Sequence, residues 1–159
     1  MVTEGKKDEE AFKAGARICD GDFSRANLRS IFYWKTNDRG NSRLNHNTDH
    51  EIADALRLAR DANTERSAIT VLTALNCVDV PVSSAILTAL DQKKYTVIDS
   101  RALESLGSDT NNRSVNFYLV YLDYCRRLAR EHCVTLRDLD RALWQWSKNN
   151  VIIPLTHVC

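Results

Sequence analysis

The chain has 159 residues, 22 Lys and Arg against 21 Asp and Glu, and 43% apolar side chains, the profile of one domain able to bury its own core. A net charge of +1 excludes any argument from bulk charge for a nucleic-acid partner, so phosphate-binding cations must be gathered on one face. No apolar run approaches the roughly 20 residues that span a bilayer, and no membrane partner is expected. Cysteines at 19, 77, 125, 133 and 159 contain no Cys-x-x-Cys pair; without a recognisable leader they read as reduced thiols of a cytoplasmic protein. Histidines at 46, 50, 132 and 157 are scattered, so neither a metal nor a cofactor is expected.

Residues 1–8 are charged and lack large apolar groups, which predicts a frayed tail ahead of a single helical domain over 9–159. Phe12, Gly15, Ala16 and Ile18 predict a short first helix ending near Gly21. Ser24 then stands as N-cap of a helix carrying Leu28, Ile31, Phe32 and Trp34, and 37–47 reads as a polar loop. Thr48-Asp49-His50-Glu51 is a capping box, followed by Ile52, Ala55, Leu56 and Ala59 at helical spacing. Asn63 or Thr64 opens the next helix, with Ala68, Leu72 and Leu75 on one face. After a turn comes a helix over Pro81–Leu90. Pro81 suits a first helical turn because its missing N–H has no partner there and its φ is already near helical. Asp91–Thr96 reads as a turn, and Asp99 as the cap of a short helix through Leu106, closed by Gly107. Beyond a polar loop at Asp109–Asn112, a long helix from Ser114 to Cys133 buries Val115, Tyr118, Leu119, Leu122, Cys125 and Ala129. Thr135 with Asp138 resembles a second capping box, opening a last helix with Leu136, Leu139, Leu143 and Trp146 inward. Trp144, about 200° round that helix from Trp146, covers a cleft or a partner surface, or sits at the edge of the core. Val151-Ile152-Ile153 reads as a strand or, given Pro154, as a docked tail. The expected class is all-α, about seven helices with short connections.

The helix, turn and helix over 65–90 make a helix–hairpin–helix. Helix N-termini offer unpaired N–H groups and a positive dipole end to phosphate. The backbone of Asn76, Cys77, Val78, Asp79, Val80 and Val82 is therefore a candidate DNA clamp; the alternative is an αα-hairpin that only connects packed helices. Lys35, Arg39 and Arg43, beside Phe32-Tyr33-Trp34, are candidate contacts to phosphate and stacked base, against a solvated loop next to core aromatics. Arg101 either meets phosphate or pairs with Glu104. Arg126, Arg127, Arg130, Arg137 and Arg141 interleave with Asp123, Glu131, Asp138 and Asp140, which reads as a salt-bridged surface.

Leu75, Val78, the Ser83-Ser84 pair, Ala85-Ile86-Leu87 and Val97-Ile98-Asp99, with Asp99 falling 18 residues after Pro81, resemble the helix–hairpin–helix DNA glycosylase superfamily. That superfamily includes endonuclease III and the alkyl-base and adenine glycosylases. The resemblance implies a six-helix barrel, a hairpin gripping double-stranded DNA, and a catalytic Asp99 that stabilises an oxocarbenium-like sugar or helps activate water. A carboxylate at a helix start beside an apolar run suits that electrostatic role; from the residues alone, an N-cap is the alternative. The chain departs from the family at both hairpin glycines, here Cys77 and Asp79. Pro81 stands where bifunctional members carry a Schiff-base lysine, and Ser100-Arg101 replaces Thr-His after the acid. The iron–sulfur cysteines are absent. The expected function is DNA binding with monofunctional base excision and no imine step; the alternative is a non-catalytic DNA-binding or protein-interaction module on the same fold.

Overall fold

A computed structural model describes residues 4–150. Among the described residues there are nine helices and no strand: α1 (Glu4–Cys19), α2 (Arg25–Thr36), α3 (Asn41–Leu44), α4 (Asp49–Asp61), α5 (Glu65–Leu72), α6 (Val80–Leu90), α7 (Ser100–Ser105), α8 (Val115–Glu131) and α9 (Leu136–Asn149). The chain is all-α, and none of these helices is long and apolar enough to cross a membrane.

Side-chain caps set most of the helix starts, because the first N–H groups of a helix have no partner within it. The Thr48 hydroxyl accepts from Glu51 N–H while the Glu51 carboxylate accepts from Thr48 N–H, completing the capping box. Thr64, Asp79, Asp99, Ser114 and Thr135 each accept from the third residue onward. At Thr135 the hydroxyl also donates to the Asp138 carboxylate, 2.7 Å away.

Helix α6 is the centre of the packing. Val80 to Ala89 are all buried, and the helix is covered by α1, α2, α4 and α5. Two of its three hydroxyls bond along the helix, Ser84 donating to the Pro81 carbonyl and Thr88 to the Ser84 carbonyl, each at 2.7 Å, while the buried Ser83 hydroxyl has no partner among the described residues. Each large apolar side chain buried here contributes on the order of 1.5–3 kcal/mol. The second layer is α8 against α5 and α9, with α7 against α9. Between the layers runs a buried, irregular segment, Tyr95–Ile98. No strand lies alongside it, so side chains satisfy its backbone. Ile98 N–H donates to Ser84 Oγ (3.0 Å), the Tyr118 hydroxyl to Thr96 O (3.0 Å), and the Tyr121 hydroxyl to Val97 O (3.3 Å). Just ahead of it, Arg126 donates to Lys94 O at 2.6 and 3.0 Å.

Four expectations are corrected. Residues 4–8 are helical rather than a frayed tail, and Asp8 anchors them by accepting from Trp34 Nε1 at 2.8 Å and pairing with Arg137 at 2.6 Å. The expected 37–47 loop contains α3, whose Leu44 is fully buried, so nine helices stand in place of about seven. Trp146, expected inward, is 50% exposed, whereas Trp144 is half-buried. The buried residues of α9 are Leu136, Asp140 and Ser147, with Leu139 and Leu143 partly buried against the core as expected. The polar pair is satisfied, Ser147 by the Glu104 carboxylate at 2.7 Å and Asp140 by Arg137. The expected strand or docked tail at 151–154, and Cys159, lie outside the described residues.

Two substitutions test this packing. A β-carbon on Gly15 of α1 would lie 1.9 Å from the Ala89 carbonyl oxygen of α6. Gly15→Ala, which elsewhere in a helix stabilises by up to about 1 kcal/mol, is expected here to destabilise by about 1–3 kcal/mol, read as a lower urea midpoint. Ser84→Ala strands the buried Ile98 N–H and is expected to cost about 1–3 kcal/mol in the same measurement.

Candidate functional site

Two clefts meet at one place on the surface. The larger, about 710 Å³, lies between the start of α1, the end of α2 and α9. The smaller, about 390 Å³, lies between α2, the start of α6, the start of α7 and Arg113, ahead of α8. Lys35, Asp99 and Trp144 line both. Lys35 arrives on the last turn of α2, Asp99 at the end of the buried segment, and Trp144 from α9.

Asp99 does two jobs. Its Oδ1 accepts Ala102 N–H at 2.9 Å, capping α7. Its Oδ2 faces Lys35 Nζ at 3.8 Å, with the two side chains 24% and 16% exposed respectively. Capping and display in a cleft are thus compatible, because a carboxylate has two oxygens to spend in different directions. Lys35 Nζ also donates to Ile98 O at 3.3 Å. Burial pushes the Lys35 ammonium below its ordinary value; the carboxylates of Asp99, Asp140 and Asp79 pull the other way, and Arg113 adds to the depression.

One wall of the larger cleft is a linked group. Arg137 pairs with Asp8 and Asp140 and lies 5.4 Å from the ring centre of Phe12 and 5.5 Å from that of Trp34. Trp144 carries a cation near its ring on either side of it in sequence, Lys148 at 4.8 Å and Arg101 at 5.6 Å.

The structure brings Lys35, Arg39, Asp79, Val82, Asp99 and Arg101 to the smaller cleft, with Pro81. Arg101 meets Trp144 rather than an acid, and Glu104 is instead the partner of Ser147. Asn76, Cys77, Val78 and Val80 do not line either cleft. Their turn packs on the 37–47 segment: buried Asn47 accepts Asn76 N–H at 2.7 Å and donates to Asn76 O at 3.0 Å. A β-carbon on Gly40, whose φ is +89°, would lie 2.5 Å from Cys77 Sγ and 3.5 Å from the Arg43 guanidinium. Arg43 therefore stands beside the turn, outside the clefts. Within the turn, Val78 N–H donates to Leu75 O and Val82 N–H to Asp79 Oδ1. Among the described residues, the N–H groups of Cys77, Asp79 and Val80 have no acceptor. Cys77 holds φ +64°, a conformation that favours glycine.

Sequence reasoning passed over Arg113, Asp140 and Arg141 as site residues. Arg113 sits alone beside a polar loop, with no periodicity to mark it, and Asp140 and Arg141 read as members of a mixed-charge helix surface. The remaining arginines of that set do behave as surface ion pairs where partners are present, Arg126 with Glu65 and Arg127 with Asp123. No group of three His, Cys, Asp or Glu among the described residues is placed to hold a metal ion.

Burial pushes the Asp140 carboxyl up to about 6 from 3.8, opposed by Arg137 and reinforced by Asp99. A carboxyl that titrates higher in the folded chain binds its proton more tightly there. Its contribution to stability is complete below the unfolded value and is lost as pH rises through about 6. Asp140→Asn is expected to remove that loss. The variant's stability relative to wild type should rise by about 1–3 kcal/mol between pH 4 and pH 7 in urea unfolding; a flat difference would show that Asp140 does not titrate there.

No protein-family model, no curated protein and no solved structure matches this chain.

Proposed function

We propose that the chain is a DNA-binding protein with the helix–hairpin–helix glycosylase architecture, which accepts an extruded nucleotide at Asp99 and releases its base by a monofunctional route. The observation that carries this reading is the position of Asp99. It sits where two clefts join, 3.8 Å from Lys35, on an edge that also presents Arg39, Arg101 and Arg113. The smaller cleft holds four cations, with Lys35, against the two acids Asp79 and Asp99, so a near-neutral chain carries a local positive excess suited to phosphate. The order α5, turn, α6, buried run, acid, α7 agrees with the resemblance, as does the left-handed backbone at Cys77, one of the two positions where the family has glycine.

In this reading the arginines hold the strand backbone, the nucleotide turns out of the stack into the cleft, and the Asp99 carboxylate offsets positive charge developing on the sugar as the base departs. One further observation favours a variation on the family theme. Asn47, Leu75 and Asp79 accept three of the hairpin N–H groups, and those of Cys77, Asp79 and Val80 stay open, so the turn and the cationic side chains share the phosphate binding.

Base release from duplex oligonucleotides carrying damaged or mismatched bases tests the catalytic step. Asp99→Asn keeps a good N-cap and is expected to lower release about 100-fold; inert wild type across a broad panel would overturn it and leave the binding module. Affinity measured against salt tests the DNA binding. Arg101→Ala and Arg113→Ala are each expected to reduce the slope of log K on log salt by about 1, whereas no DNA binding at low salt would leave a protein-interaction role.

A further inference from the structure

The cations of the smaller cleft are of two kinds. Lys35 faces the Asp99 carboxylate at 3.8 Å and donates to Ile98 O, so its charge is met within the protein. Arg39, Arg101 and Arg113 line the same cleft and, among the described residues, pair with no carboxylate. On other surfaces Arg25, Arg57, Arg60, Arg126 and Arg127 each do. Three guanidinium groups gathered without partners repel one another, and a bound anion relieves that repulsion. The remaining acid of the cleft is Asp79, whose Oδ1 already accepts Val82 N–H. With Lys35 and Asp99 offsetting each other, three arginines against Asp79 leave a formal surplus of two positive charges.

That surplus separates two kinds of phosphate. A phosphodiester inside a strand carries a single negative charge, whereas a terminal phosphate monoester carries about −1.5 to −2 near neutral pH, spread over three acceptor oxygens. Guanidinium groups suit such oxygens through a planar, two-point grip. The larger cleft supplies the other half of a ligand site. Trp34 and Trp144 line it beside Val97. Trp34 is held by donating its Nε1–H to Asp8 at 2.8 Å, and Trp144 has Lys148 and Arg101 at 4.8 and 5.6 Å from its ring centre. Aromatic side chains displayed next to cations stack on nucleobases. Because Lys35, Asp99 and Trp144 border both clefts, base, sugar and phosphate find matching surroundings in the order larger cleft, Asp99, smaller cleft.

We infer that the joined clefts bind a nucleotide carrying a terminal 5′-phosphate monoester, its base against Trp144 and its phosphate held by Arg39, Arg101 and Arg113. The placement of the sugar at Asp99 rests on the nucleotide reading of the site; the choice of a monoester rests on the charge balance of the smaller cleft. Two sources carry this chemistry, a free nucleoside monophosphate and the 5′-phosphorylated end of a strand.

The test titrates the full chain at fixed ionic strength with two matched pairs of probes. One pair is adenosine 5′-monophosphate and adenosine; the other is a duplex oligonucleotide with a 5′-phosphate and the same duplex with a 5′-hydroxyl. In at least one pair the phosphorylated member is expected to bind about tenfold tighter or more. A preference in the first pair alone identifies the free nucleotide as the ligand, and one in the second pair alone identifies the strand end. Arg113→Ala is expected to lower the preference severalfold. Arg101→Ala does the same, but Arg101 also lies on Trp144, so Arg113 carries the charge test. Trp144→Ala is expected to weaken the phosphorylated probe about tenfold, and Arg127→Ala, on the surface of α8, to change neither. No preference in either pair, a preference unchanged by Arg113→Ala, or inorganic phosphate competing as well as the nucleotide would each overturn the inference. Equal binding of both duplexes with no preference in the first pair would do so while leaving the DNA reading in place. Binding of the nucleotide with no binding of either duplex would uphold the inference and count against DNA as the partner.

Discussion

A buried stretch of chain without regular structure is the constraint around which this molecule is organised. Tyr95–Ile98 lies between two layers of helices, and buried carbonyl and N–H groups left unpaired cost on the order of 1–3 kcal/mol each. The protein meets that demand with side chains from three helices: Ser84 of α6, Tyr118 and Tyr121 of α8, and Lys35 of α2. Both tyrosines are buried so deeply that ionisation of their hydroxyls is strongly disfavoured, which keeps them as donors over the whole range of ordinary pH. The segment is thereby fixed along its length, and the residue that follows it is Asp99.

Lys35 connects this structural requirement to the chemistry of the clefts. The same ammonium that donates to Ile98 O faces the Asp99 carboxylate, so backbone anchoring and cleft electrostatics share one group. Asp140 feels the same surroundings from α9, with burial raising its carboxyl and Arg137 restraining the rise. Charges gathered at the meeting of α2, α7 and α9 are therefore strongly coupled, because the low dielectric of the packed helices screens them poorly. On the other side of the hairpin, charge matters less than shape. Asn47 fills the turn with hydrogen bonds, and Gly40 leaves room for the Cys77 sulfur.

Much of the helical order is legible locally. Thr48 with Glu51, Thr64, Asp99, Ser114 and Thr135 announce helix starts through short-range hydrogen bonds that depend on three or four neighbouring residues, and Asp79 proves to be a further cap of this kind. Pro81 falls in the first turn of α6 for the same local reason. Trp146 shows where such reasoning stops. The leucines of its expected stripe, Leu136, Leu139 and Leu143, do pack on the core. Yet Asp140 and Ser147 are buried on that helix while Trp146 is 50% exposed, because Glu104 bonds Ser147 and Asp8 helps hold Arg137, the partner of Asp140. Asp8 is similar: a charged residue near the chain start reads as solvated until Trp34 and Arg137 are placed beside it.

By itself, then, the order of residues determined an all-helical chain, the boundaries of most helices, and an acid at the head of a short helix after a buried apolar run, since each depends on contacts within a few residues. The tertiary structure decided that Lys35 and Asp99, 64 positions apart, share a cleft with Trp144. It also decided that Arg113 joins them and that Arg43 stands apart beside the hairpin turn. Those outcomes follow from how α2, α7 and α9 stack around Tyr95–Ile98, a long-range packing that no local periodicity encodes.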